Sequence, residues 1–120
     1  MARKRGPKVI EAEEFRLVDA EGQLWAMLHA RDGDPTLELR DEQRRTGLTL
    51  KIENGRPLIN LEYGGELGVV GLGVSEEGDI GIQVSATDGK MRFMLQVSRD
   101  GDAKMMLLDR NAESVVWRAP

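Results

Sequence analysis

Pro35-Thr-Leu-Glu-Leu-Arg-Asp-Glu-Gln-Arg-Arg-Thr-Gly-Leu-Thr-Leu-Lys-Ile-Glu-Asn-Gly-Arg-Pro57 reads as strand, turn, strand and glycine turn, and it sets the pattern for the chain. Leu37 and Leu39 alternate with Glu38 and Arg40, and Leu48, Leu50 and Ile52 alternate with Thr49 and Lys51. A two-residue period of this kind marks a strand with one apolar and one wet face. Asn54-Gly55 supplies the positive φ that a tight hairpin turn demands.

The same unit recurs on both sides. Its first apolar position falls at Phe15, Leu37, Ile59, Ile82 and Met105, at spacings of 22, 22, 23 and 23 residues. Two residues on stand Leu17, Leu39, Leu61, Val84 and Leu107. Eleven residues after each start, the second strand places Ala26, Leu48, Val70, Phe93 and Val116 on the same face. Glycine turns join the units at Asp32-Gly33-Asp34, Asn54-Gly55, Glu77-Gly78-Asp79 and Asp100-Gly101-Asp102. Periods of this length mean a repeat architecture in which no unit buries its apolar face alone.

The expected fold is all-β: about ten short antiparallel strands in five degenerate hairpin repeats, closed as a barrel, packed sheets or a propeller-like ring. A β-solenoid, with one parallel coil per repeat, is the alternative. Residues 1–8 read as a flexible basic arm and residues 9–120 as a single β-repeat domain, of a size to hold one modest core.

Composition narrows the function more by exclusion than by assignment. Charged residues make up 32 % of the chain and aromatics only 4 %, so stacking platforms for sugars or bases have little to be built from. Cysteine is absent, which removes disulfides and thiolate chemistry. Arg3, Lys4, Arg5 and Lys8 contribute +4 to a net charge of −4, leaving −8 on the body, so nucleic acid is not an expected partner. No apolar run reaches the ~20 residues of a membrane helix, no signal-peptide segment follows the basic start, and the expected location is cytoplasmic.

No catalytic constellation stands out and no cofactor is implied. Glycines crowd the stretch from Gly64 to Gly81, yet Asp79 stands where a phosphate-binding loop needs its lysine. His29 has no serine or cysteine partner in view, and Glu13-Glu14 and Glu76-Glu77 read as solvated turn residues. Asp32, Asp34, Asp100 and Asp102 are weak candidates for a calcium site, without an EF-hand or nonapeptide pattern around them.

The terminal repeats carry a surplus of apolar side chains on the face that ought to be wet. Trp25, Met27, Met94, Met106, Leu108, Val115 and Trp117 are the expected contact residues. The expected function is therefore a non-enzymatic structural or protein-interaction module that associates with itself or with another protein. The alternative is a small-ligand or calcium-binding β domain using the acidic loops.

Overall fold

The computed structural model describes residues 6–43, 47–63, 68–111 and 114–118. Ten strands follow one another in chain order: β1 (Glu14–Val18), β2 (Leu24–His29), β3 (Thr36–Arg40), β4 (Gly47–Glu53), β5 (Arg56–Tyr63), β6 (Gly68–Val74), β7 (Ile80–Ser85), β8 (Met91–Val97), β9 (Ala103–Leu108) and β10 (Ser114–Arg118). Each pairs antiparallel with the next, forming one ten-stranded meander in the order β1 to β10. The all-β hairpin architecture is thus the one the repeats predict.

The sheet is open. Among the described residues β1 pairs only with β2 and β10 only with β9, so neither a barrel nor a ring closes. Every pairing is antiparallel, which removes the solenoid. Both edge strands are five residues long, the shortest length in the sheet, and short edges limit unwanted pairing. Among the described residues no helix is long and apolar enough to cross a membrane; this says nothing about strands.

Turn chemistry sets the register. Four hairpins use one design: a type I turn closed by a left-handed glycine. Gly22, Gly78, Gly89 and Gly101 take φ of +81°, +88°, +78° and +90°. In each, the residue that opens the turn bonds through its backbone N–H to the carbonyl four residues on, as Asp19 does to Gln23 and Ser75 to Asp79. Where the opening residue has a short polar side chain, it accepts the return N–H: Asp19 Oδ1 from Gln23 at 2.9 Å, Ser75 Oγ from Asp79 at 3.1 Å and Ser98 Oγ from Asp102 at 3.1 Å. Asn54 (φ 50°) and Gly55 (φ 78°) form the two-residue turn between β4 and β5.

Register then gathers the apolar residues into rows that cross the sheet. One row runs Phe15, Leu28, Leu37, Leu50, Ile59, Leu72, Ile82, Leu95 and Met105. The next runs Leu17, Ala26, Leu39, Leu48, Leu61, Val70, Val84, Phe93 and Leu107. A shorter third row holds Ile52, Pro57, Val74, Ile80, Val97 and Ala103. No charged residue stands in any of the three.

The fifth hairpin corrects the repeat alignment. Met105 pairs with Trp117 and Leu107 with Val115, so Val115 rather than Val116 continues the apolar row. Leu107 and Val115 are eight positions apart, against nine for Leu17–Ala26, Leu39–Leu48, Leu61–Val70 and Val84–Phe93, and a one-residue slip exchanges the two faces of a strand.

The rows do not converge on an interior. Leu17 is 63 % exposed, Leu28 47 % and Leu61 45 %, and Met27 is the only buried apolar residue among those described. The terminal repeats do not fold onto each other either. The chain has a radius of gyration of 19.5 Å, against about 14 Å for a compact domain of this length. Its accessible surface is 9578 Å², about 3,100 Å² above the scaling for a folded monomer of 13.3 kDa. One sheet has two faces and no second layer, so its hydrocarbon remains at the surface.

Candidate functional site: two unlike faces of one sheet

The face opposite the apolar rows is held by polar side chains that bond to one another. Glu14 accepts from Arg16 Nε at 2.8 Å and is also paired with Arg31. The Arg16 hydrogen bond comes first, with the Arg31 guanidinium adding to it, in holding the Glu14 carboxyl below its ordinary range. Arg31 Nη2 in turn stands 3.6 Å from Met27 Sδ. Arg40 pairs with Glu62 at 3.4 Å and Lys51 with Glu53 at 3.0 Å. The hydrocarbon stems of such long side chains cover apolar neighbours while their heads stay in water. Both buried residues, Met27 and Thr36, lie on the polar face.

The expected contact residues divide between the two faces. Met27, Met94 and Met106 occupy one row of the polar face, with Met94 directly across from Met106. Trp25, Met94, Met106 and Leu108 are half-covered and Met27 is buried, so these five form no open patch. Trp25 donates its indole N–H to Asp19 Oδ2 at 3.1 Å. Backbone N–H donation from Gln23, then the Trp25 indole, keeps the Asp19 carboxyl below its ordinary range. Val115 and Trp117 stand in register with the apolar rows instead.

The open apolar surface is formed by the residues that the repeat pattern assigned to an interior. Leu39, Leu50, Leu61, Leu72, Leu95 and Leu107 are each between 36 % and 46 % exposed. Their periodicity was visible in the sequence; that no second layer covers them was not.

Little chemistry gathers elsewhere. A shallow depression of about 350 Å³ on the polar side of β5 to β8 is lined by Arg56, Asn60, Gln83, Asp79 and Gln96 over Gly71, Gly73 and Gly81. Its one carboxylate, Asp79, accepts from Gln96 Nε2 at 2.7 Å and from the Arg99 backbone N–H at 3.1 Å. Gly73 is needed for packing: a Cβ there would sit 2.5 Å from Leu58 Cδ2 and 3.0 Å from the Pro57 carbonyl oxygen. Gly64 and Gly65 lie outside the described residues.

Acidic turn residues serve the turns. Asp32 (φ 58°) and Gly33 (φ +80°) belong to a 3-10 turn between β2 and β3, and the Asp34 carbonyl accepts from Thr36 Oγ1 at 3.0 Å. The Asp102 backbone N–H goes to Ser98 Oγ. Among the described residues no three of His, Asp and Glu converge in a way that could hold a metal ion. His29 Nδ1 accepts the Arg31 backbone N–H at 3.2 Å, a local turn contact. Glu76 lies 3.9 Å from Arg56.

No family model matches the chain, and neither a curated protein nor a solved structure matches it.

Proposed function

We propose that the chain is a non-enzymatic structural module whose working surface is the apolar face of its single sheet, which it presents to another protein surface. The observation that carries this reading is the missing second layer: three uncharged rows run across the sheet, and eight of their ten leucines are 36–63 % exposed. Contiguous apolar patches on soluble monomers seldom exceed a few hundred Å², and larger ones mark interaction sites. The polar face, by contrast, is laced with ion pairs, and among the described residues no cluster of His, Asp and Glu could hold a metal ion. Interfaces of this kind bind through area and shape rather than through a pocket.

Carbene footprinting of the purified full chain tests the reading. Leu39, Leu61, Leu72 and Leu107 should label far less than their exposure in a lone sheet demands, because a protein surface covers them. A folded, monodisperse monomer whose leucine rows label freely would end the proposal.

A further inference from the structure

We infer that the surface covering the apolar face is a second copy of this chain, placed by a two-fold axis that runs parallel to the strands between β5 and β6. The inference rests on the module reading above and specifies its partner.

Area is the first argument. The accessible surface exceeds that of a compact monomer by about 3,100 Å². Even with a third of that excess given to residues 6–13, which precede β1, two chains hold roughly 4,000 Å² to cover. Permanent homodimer interfaces bury about 2,000–5,000 Å² in total. A single helix, ~10 Å across, would cover only about a quarter of ten strands spaced ~4.8 Å apart. A second ten-stranded sheet matches the face in both dimensions, and sheets pack face to face ~10 Å apart with their strands nearly aligned.

The match of apolar rows across the axis is the second argument. An axis between β5 and β6 lays each strand over the one equally far from the centre in the other copy, and it keeps each row at the same height. Leu61 then faces Val70, Leu39 faces Phe93 and, in the central row, Ile59 faces Leu72, apolar against apolar in each case. Electrostatics does not oppose the pair. The charged side chains of the strands stand on the outer faces, where two sheet thicknesses and a Debye length of about 8 Å separate like charges.

The chain has no cysteine, so introduced thiols report cleanly. Asp34 lies by the β2–β3 turn and Asp100 in the β8–β9 turn, at the same end of the sheet. Within one chain about six strand spacings, ~29 Å, separate them. Across the proposed axis Asp34 of one copy lies over Asp100 of the other, one sheet spacing (~10 Å) away.

In the full chain, Asp34→Cys combined with Asp100→Cys should therefore give a covalent dimer with a bismaleimide of ~10 Å reach, whereas Asp34→Cys alone should not. The unmodified chain should elute with twice the 13.3 kDa mass by light scattering. Leu61→Ala should raise the dissociation midpoint at least tenfold, while Met106→Glu on the polar face should leave the doubled mass intact. Should Leu61→Ala not fold, the cross-link and the mass of the parent chain decide alone. A trimer, a dimer without the Asp34–Asp100 cross-link, or flotation with phosphatidylcholine vesicles overturns the inference. A one-to-one complex with a different protein overturns it and leaves the module reading standing; a folded monomer with labelled leucine rows defeats both.

Discussion

Alanine at two glycines, two residues apart on the same strand, should have opposite effects. Gly71 and Gly73 both lie on the polar face of β6. A Cβ on Gly71 would meet only Asn60 Oδ1, at 3.4 Å, an ordinary contact. One on Gly73 would fall 2.5 Å from Leu58 Cδ2 and 3.0 Å from the Pro57 carbonyl oxygen. The Leu58 methyl can swing away, but the carbonyl belongs to a paired strand and gives way only if β5 and β6 part. Overpacking of this kind costs about 1–3 kcal/mol. With a melting shift of roughly 3–6 °C per kcal/mol for a chain of this size, Gly73→Ala should melt about 3–18 °C below the parent. Gly71→Ala restricts the unfolded chain without a clash and should be neutral or stabilising by up to about 1 kcal/mol. Circular dichroism melts at one fixed protein concentration make the comparison, since association shifts the midpoint. Equal melting points for the two variants, or a lower one for Gly71→Ala, would refute the packing argument.

Gly55→Ala forces a side chain into φ of +78° in the β4–β5 turn and should cost about 1–2 kcal/mol, read by urea denaturation; Glu53→Ala beside it should cost less. Asp19 supplies a pH dependence. Its folded carboxyl lies below its ordinary range through bonds from Gln23 and Trp25, so its contribution is fully present above the unfolded pKa. That contribution disappears as pH falls through the lower, folded value. Trp25 fluorescence, followed in a Trp117→Phe background, should change in that acid window, and Asp19→Asn should remove the transition.

Strand positions and most of the register were legible because Leu48, Leu50 and Ile52 alternate with polar residues, and a slip by one would put every leucine on the wrong side. Glycine after an acidic residue located the turns for an equally local reason, the need for positive φ. The last hairpin escaped because β10 is apolar at both parities: Val115, Val116 and Trp117 satisfy either register, and only the pairing of Leu107 with Val115 decides between them. Which face stays open was not legible for a different reason. Met27, Met94 and Met106 look like surplus apolar groups in the sequence, yet Met27 is buried and Met94 and Met106 are half-covered. Leucine rows look like a core, yet alternation reads the same whether the chain folds back over its own rows or leaves them to another molecule.

Because every described strand pairs only with its neighbours in the chain, the sheet behaves as a ruler graduated in hairpins. Excising one whole unit, such as residues 35–56, would shorten the ruler by two strand spacings, about 9.5 Å, without inverting the faces of what remains. Duplicating a unit would lengthen it by the same step. Length and binding strength would then rise together with copy number, open to selection through gain or loss of a 22-residue cassette.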